Sequence, residues 1–208
     1  MKEQDPIGDK ESPLIVFAGR SNVGKSSIIR ALTGKKVIVG KRPGSTRWEN
    51  MIEMGSITIV DIPGFGFMAG QSKTKIEDTK IHIIESLESW SKRILLSVLI
   101  LDISLFRELY DRWSSRGELP VDVEFYSFLC EISPRVVVVA NKVDKLKNSR
   151  IQGELDFLVE MLRESVIERE PTVIATNAMR KMGVSLLRDL IDEILQEEGL
   201  ESPRWALT

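Results

Sequence analysis

The chain contains the stretch VFAGRSNVGKSS at Val16–Ser27, where an apolar run leads through a glycine-rich loop into a predicted helix. The stretch fits the pattern G-x-x-x-x-G-K-[ST] at every fixed position, from Gly19 to Ser26. Such a loop turns several backbone N–H groups towards one point, and the following helix N-terminus adds positive potential. Lys25 is expected to reach the β- and γ-phosphates, and the Ser26 hydroxyl to ligate Mg²⁺. The stretch therefore predicts a nucleoside triphosphate site, and a chance match in an ordinary loop is the alternative.

The composition is that of an ordinary globular domain. The 208 residues are 42% hydrophobic and 29% charged, which favours one domain with a substantial core. The net charge of −2 gives no bulk attraction to nucleic acid, so any such contact needs a local basic patch. Cys130 is the single cysteine, which excludes an internal disulfide partner. We expect a cytoplasmic protein, because no signal peptide or membrane-length apolar run is visible.

Apolar strands alternate with helical segments along the chain, which predicts an α/β fold with a doubly wound, mostly parallel sheet. The predicted strands are Leu14–Ala18, Trp48–Glu53, Ile57–Val60, Leu95–Leu101, Val136–Ala140 and Thr172–Ala175. The predicted helices are Ser26–Leu32, Ile76–Ser91, segments within Ser104–Ser133, Ile151–Glu168 and Val184–Gln196. The second and third strands form a hairpin, so one edge strand is expected to be antiparallel. We expect a flexible tail at residues 1–12, a domain at 13–199 and a second tail at 200–208.

Two further motifs directly follow predicted strands. Asp61-Ile62-Pro63-Gly64 follows Ile57–Val60, where a carboxylate is expected to hold Mg²⁺ through water and a glycine N–H to sense the γ-phosphate. Asn141-Lys142-Val143-Asp144 follows Val136–Ala140, where a carboxylate accepting two N–H bonds distinguishes guanine from adenine. The alternative for the first motif is a plain turn, and the alternative for the second is a solvated loop. Ligands bind beyond the carboxyl ends of strands in such sheets, so all three motifs are expected at one rim.

Two other segments give weaker candidates. Thr46, in the loop Arg42–Arg47, is placed to be a second Mg²⁺ ligand, and a plain loop threonine is the alternative. In Thr176–Met179, after the last strand, a backbone N–H could meet the guanine O6 atom. An ordinary strand-to-helix loop explains that segment equally well.

These motifs together resemble the EngB (YihA) family of ribosome-assembly GTPases, in the TrmE-Era-EngA-EngB-septin-like group. The resemblance rests on Gly19–Ser27, Lys41–Thr46 and the run DIPGFGF at Asp61–Phe67. It implies a P-loop GTPase three-layer sandwich, with six strands and helices on both faces. The chain departs from the family pattern at Asn141 and Arg47, and at the triplet Asn177-Ala178-Met179. The segment Ser104–Ser133 is longer than in bacterial members and resembles the archaeal-type branch.

The resemblance implies GTP/GDP as ligands, Mg²⁺ as cofactor and the large ribosomal subunit or its rRNA as partner, with no membrane contact and a monomeric state. The same resemblance also implies a connection with cell division and septation. Phe65 stands where Ras-like proteins have the water-orienting Gln, so we expect slow intrinsic hydrolysis. In the group that the chain resembles, an Asn at the position of Asn22 marks the members that K⁺ stimulates. An Asn that only braces the loop is an equally good interpretation. A P-loop ATPase or small-molecule kinase, and a nucleotide-dependent binding module without turnover, are the alternatives.

The motifs and the resemblance give one set of expected site residues. Hydrolysis is assigned to Lys25, Thr46, Gly64 and Asn22, and Mg²⁺ to Ser26, Thr46 and, through water, Asp61. Asn22 is also the candidate K⁺ ligand. The nucleotide-binding set comprises Gly19, Arg20, Ser21, Asn22, Val23, Gly24, Lys25, Ser26, Ser27, Gly44, Ser45, Thr46, Arg47, Trp48, Asp61, Ile62, Pro63, Gly64, Asn141, Lys142, Val143, Asp144, Thr176, Asn177 and Ala178.

Overall fold

The computed structural model of the chain describes residues 12–35, 50–64 and 73–206. Its strands are β1 (Leu14–Gly19), β2 (Asn50–Met54), β3 (Ile57–Asp61), β4 (Ile94–Asp102), β5 (Val136–Asn141) and β6 (Thr172–Thr176). Its helices are α1 (Lys25–Thr33), α2 (Lys73–Trp90), α3 (Ile103–Ser114), α4 (Val121–Ile132), α5 (Asn148–Ser165) and α6 (Val184–Glu197). Order and type agree with the sequence prediction, and the helical segments predicted between β4 and β5 are α3 and α4.

The described strands form one six-stranded sheet in the order β2-β3-β1-β4-β5-β6. β2 runs antiparallel to β3, and every other neighbouring pair is parallel. The predicted fold class, with its antiparallel edge strand, is confirmed. Because the parallel strands point the same way, their carboxyl ends meet at one edge. The register there places Phe17 beside Asp61, and Asn141 between Asp102 and Thr176.

Two apolar clusters, one on each face of the sheet, hold the layers together. Alternate residues of β1 point to opposite faces, as strand geometry requires, so Val16 joins one cluster and Phe17 the other. Helices α2 to α5 cover the face of Val16, and α1 and α6 cover the face of Phe17. Strands buried on both faces read as the continuous apolar runs seen in the sequence.

The segment after α6 packs against the domain. Trp205 contacts the cluster beneath α1 and α6, and its Nε1 donates to Asp192 Oδ1 at 2.7 Å. The backbone N of Ala206 donates to Leu32 O, and Ser56 Oγ to Glu201 O. The tail predicted from residue 200 is therefore docked through residue 206. Of the tail predicted at 1–12, all but the last residue lies outside the described residues.

Helices in the described ranges are either too short or too polar to cross a lipid bilayer.

Candidate functional site

The carboxyl edge of the sheet opens into a cavity of about 740 Å³. This volume is in the range of pockets that bind small molecules. Its walls are built by the segments that follow β1, β3, β5 and β6. They are formed by Arg20, Ser21, Asn22, Gly24, Lys25, Ser26, Ser27, Asp61, Ile62, Pro63, Gly64, Asn141, Lys142, Asp144, Lys145, Asn177, Ala178 and Met179. The three predicted motifs therefore meet around a single cavity.

The loop between β1 and α1 has the backbone that an anion cradle needs. Asn22 has a φ of +67° and Gly24 a φ of +100°, so the chain passes twice through the left-handed region. Gly24 directly precedes the first residue of α1. A Cβ at Gly24 would lie 2.2 Å from Asn141 Nδ2, closer than any real contact. Glycine is required there by conformation and by space, and the helix N-terminus that follows faces the cavity.

A lysine, a carboxylate and a hydroxyl converge beside this loop. Lys25 Nζ donates to Asp61 Oδ1, and both side chains are buried. Ser26 is exposed at the cavity wall. Hydroxyl and carboxylate oxygens are the hard donors that Mg²⁺ prefers, so the residues present fit this ion. Gly64 packs on the loop so tightly that a Cβ there would lie 2.8 Å from the backbone N and the Oγ of Ser21.

Asn141 ties three segments of the site together. Its Nδ2 donates to Val23 O at 2.8 Å. Its Oδ1 accepts from Thr176 Oγ1 at 3.0 Å and from Ala178 N at 3.1 Å. The amide is buried, and it bonds the phosphate loop on one side and the end of β6 with its following loop on the other. Asn141 therefore fixes the relative positions of these segments and its own. These bonds make Asn141 a tether between the phosphate loop and the loop after β6.

Lys142 and Asp144 occupy one side of the cavity. Lys142, with a φ of +67°, directs its Nζ to Asn22 O and to Asp102 Oδ2, the latter at 2.8 Å. Its stem thereby crosses the gap between β5 and the phosphate loop. Asp144 is exposed, and no side chain in the described ranges pairs with its carboxylate. A carboxylate held open in this way is available to accept two parallel N–H bonds.

The loop after β6 is held by its own hydrogen bonds. Asn177 N donates to Met182 O at 3.0 Å, and Asn177 Oδ1 accepts from Met179 N and Arg180 N. Ala178 N is already bonded to the side-chain oxygen of Asn141. Each backbone N–H from residue 177 to 180 therefore has an intramolecular acceptor. The predicted contact of this loop with guanine O6 stays a prediction.

The predicted site residues fall into three groups. Most of them line the cavity. Gly19, Val23, Val143 and Thr176 are buried and do not line it. The predicted residues Gly44, Ser45, Thr46, Arg47 and Trp48 lie outside the described residues.

Four residues of the site are not in the expected set. Lys145 and Met179 line the cavity, the latter at the end of the candidate segment Thr176–Met179, and Asp102 accepts from Lys142. Asp102 could have been found, because it is a polar residue directly after an apolar strand and in register with Asn141. The fourth, Asp122, is at the start of α4 and carried no local signal.

Asp122 forms an ion pair with the phosphate loop. Arg20 Nη1 lies 3.6 Å from Asp122 Oδ2, and the carboxylate is buried. Burial raises the pKa of Asp122 to about 6, although the Arg20 guanidinium acts in the opposite direction. The nearby Asp102 adds to the increase. The ion pair joins α4 directly to Arg20, the residue that follows Gly19 in the phosphate loop.

Comparison with known proteins gives consistent matches. A family model described as "50S ribosome-binding GTPase" matches residues 14–142. A Pyrococcus abyssi protein named "Probable GTP-binding protein EngB" is 45% identical over 183 residues, covering 88% of this chain and 86% of that protein. A Methanosarcina barkeri protein of the same name is 39% identical over 184 residues, covering 88% of each. The structure "Crystal structure of a probable GTP-binding protein engB" matches with a TM-score of 0.78 and 43% identity, covering 88% of this chain and 99% of that one.

Proposed function

The chain belongs to the EngB family of GTP-binding proteins, and we propose that it is a GTP-hydrolysing molecular switch that assists assembly of the large ribosomal subunit. The observation that carries this function is the convergence of Lys25, Asp61 and Asp144 on one cavity. Each of these side chains suits a different part of the ligand: the phosphates, the metal and the guanine ring.

The phosphate end of the ligand belongs at the loop between β1 and α1. Backbone N–H groups at the start of α1 and the Lys25 ammonium offset the phosphate charge. Ser26 would bind Mg²⁺ directly and Asp61 through water, with Thr46 as a second direct ligand from its loop. The ion, when bound, neutralises charge on the β- and γ-phosphates. Gly64 is placed next to Ser21, where its N–H can respond to the γ-phosphate.

The guanine end belongs beside Asp144. Its carboxylate would accept from N1 and N2 of guanine, donors that adenine lacks. The Lys142 stem, stretched between Asn22 O and Asp102, offers an apolar surface to one face of the ring. Asn141 holds both elements in place through its three hydrogen bonds. This arrangement supports the proposed specificity for guanine.

Hydrolysis in this site depends on positioning and charge, because the position of the Ras-type Gln holds Phe65. Phe65 has no group that could orient the attacking water. The intrinsic rate is therefore slow, and a further element completes the site. That element is K⁺ bound near Asn22, or the ribosome itself. A monovalent cation there would stabilise developing negative charge much as an arginine finger does.

The proposed partner is the large ribosomal subunit or its rRNA. The matched family model carries ribosome binding in its description. Basic residues in the sequence between α1 and β2 supply a local positive charge on a chain whose net charge is −2. They are Lys35, Lys36, Lys41, Arg42 and Arg47.

The test is direct binding of GDP, GTP and ATP with Mg²⁺ to the full chain and to Asp144→Asn. The wild type should bind GTP and GDP and reject ATP. Asp144→Asn should weaken GTP binding by about 10- to 100-fold, since a charged hydrogen-bond pair is lost, and should gain xanthine nucleotides. The matched control is Asp111→Asn, which removes an exposed carboxylate on α3, away from the cavity. Equal binding of ATP and GTP, or an indifferent Asp144→Asn variant, would favour the ATPase or kinase alternative.

Turnover separates the switch from a simple binding module. Phosphate release is measured with the purified chain, alone and with large ribosomal subunits. Stimulation by the subunits is the expected result. GTP binding without any phosphate release under either condition would contradict the proposed GTPase.

A further inference from the structure

An ion pair between a buried carboxylate and a partly exposed guanidinium links the phosphate loop to helix α4. Arg20 Nη1 and Asp122 Oδ2 are 3.6 Å apart, and Arg20 is also part of the cavity wall. The other oxygen, Asp122 Oδ1, is buried and has no hydrogen-bond partner among the described residues. Asp122 lies in the first turn of α4, within the long segment between β4 and β5.

This carboxylate is unfavourable for stability. Its burial opposes ionisation, and Asp102 places a second negative charge nearby. One of its oxygens has no donor within the described ranges. A buried ion pair with incomplete hydrogen bonding contributes little net stability. Departures of this kind from good packing are typical of functional positions. The pair therefore calls for a role other than holding the fold together.

The surrounding contacts show what the pair acts on. Ser21 lies between Arg20, which Asp122 holds directly, and Asn22, whose carbonyl oxygen accepts from Lys142. The same Lys142 ammonium is held by Asp102 Oδ2 at 2.8 Å. Two carboxylates thus restrain the residues on either side of Ser21. Ser21 is also the residue against which Gly64 packs.

We propose that Asp122 is a positioning residue for nucleotide binding, which sets the phosphate loop through Arg20 and couples that loop to helix α4. The proposal rests on the proposed function, because it requires that the phosphates bind at this loop. Coupling between two sites is reciprocal. A partner that shifts α4 therefore changes nucleotide affinity, and bound nucleotide changes the affinity of that partner.

The chain contains a matched control in a second buried carboxylate. Glu154 on α5 accepts from Arg107 Nε at 2.9 Å and from Arg150 Nη2 at 2.7 Å. The side chains of Asp122 and Glu154 are equally exposed, at 7% each. Neither Glu154 nor its two arginines line the cavity. Glu154→Gln removes a buried charge pair of the fold without touching the phosphate loop.

The experiment measures GTP and GDP dissociation constants at about pH 8, where Asp122 is ionised. The variants are Asp122→Asn, Arg20→Gln, the double variant and Glu154→Gln, each checked by thermal unfolding. Asp122→Asn should weaken GTP binding by about 2- to 30-fold, the usual range for a residue that modulates a site without contacting its ligand. The double variant should bind no more weakly than Arg20→Gln alone, because the two side chains act as one unit. Glu154→Gln should bind as the wild type.

Three outcomes would overturn the proposal. One is a folded Asp122→Asn variant with wild-type affinity, and another is an equal loss of affinity in Glu154→Gln. The third is a double variant whose loss of nucleotide affinity equals the product of the fold-losses in the two single variants. Should Asp122→Asn not fold, Asp122→Ser, a smaller neutral replacement at the same position, takes its place in every comparison. Arg20→Gln alone does not decide, because Arg20 itself lines the cavity and its loss leaves the buried Asp122 carboxylate without this cation. A wild-type chain that binds no guanine nucleotide would instead refute the proposed function.

Discussion

Replacing Asp122 with Asn should change how the stability of the fold depends on pH. The pKa of Asp122 is raised from 3.8 to about 6 in the folded chain, chiefly by burial. The folded state therefore holds this proton more tightly than the unfolded state does. The resulting stabilisation is fully present below the unfolded value of 3.8 and is lost as pH rises through about 6. Asn has no proton to lose, so the variant lacks this dependence.

The size of the effect follows from the two pKa values. The difference between 3.8 and about 6 corresponds to about 3 kcal/mol of unfolding free energy. Between about pH 4.5 and about pH 8, roughly 2 kcal/mol of that amount is lost. Urea unfolding of the wild type and Asp122→Asn across this range gives the difference directly. Groups that titrate in both proteins contribute equally to the two unfolding free energies, so their contributions cancel in the difference. The exceptions are the charged groups that face Asp122, which are Arg20 and Asp102.

Glu154→Gln should show the opposite trend. Burial alone would raise the pKa of Glu154, but hydrogen bonds from Arg150 and Arg107 outweigh it and the pKa is lowered. The advantage of the wild type over Glu154→Gln should therefore increase with pH, whereas its advantage over Asp122→Asn decreases. A pH-independent difference between wild type and Asp122→Asn would refute the reasoning. It would mean that Arg20 fully compensates the buried charge.

Three further outcomes are expected. Gly24→Ala should abolish nucleotide binding and lower the unfolding free energy by about 2–4 kcal/mol. The reason is that φ at Gly24 is +100° and the new Cβ would lie 2.2 Å from Asn141 Nδ2. Calorimetry measures the binding, and urea unfolding measures the stability. Asn141→Ala should cost about 2–4 kcal/mol and weaken GTP binding, since it leaves buried groups on Val23, Thr176 and Ala178 unpaired; retained affinity would contradict the tethering role. Turnover should be faster in KCl than in NaCl at equal ionic strength, and equal rates would exclude the cation near Asn22.

The rim of the sheet was predictable because it depends on two local signals. Continuous apolar runs mark strands buried on both faces, and the polar residues directly after them must emerge at the carboxyl edge. Lys25, Asp61 and Asp144 all follow such runs, so their convergence could be inferred without coordinates. Asp102 obeys the same rule, and applying it to β4 would have identified the partner of Lys142.

The ion pair between Arg20 and Asp122 could not be predicted in this way. Its two residues are far apart in sequence, and their distance depends on where α4 packs against the sheet. That placement is set by apolar contacts of Val123, Tyr126 and Leu129 with the core. The apolar pattern predicts which face of the helix is buried, but it does not predict what the polar side chain in the first turn contacts. The docking of Trp205 on α6 was missed for a similar reason, since a single aromatic after the last helix gives no periodic pattern.

The carboxylates at this edge differ mainly in what surrounds them, and those differences account for the division of roles. Asp61 and Asp102 are buried against lysine ammonium groups, so each fixes a cation near the phosphate loop. Asp144 is exposed and pairs with no cation in the part of the chain that the structure describes, which leaves its carboxylate available to neutral N–H donors. Asp122 is buried with a more distant guanidinium, and its Oδ1 atom has no hydrogen-bond partner among the described residues. Of the three buried carboxylates its charge is the least compensated, so the conformation of the loop that supplies Arg20 affects its energy most. This is the physical basis for coupling α4 to the nucleotide.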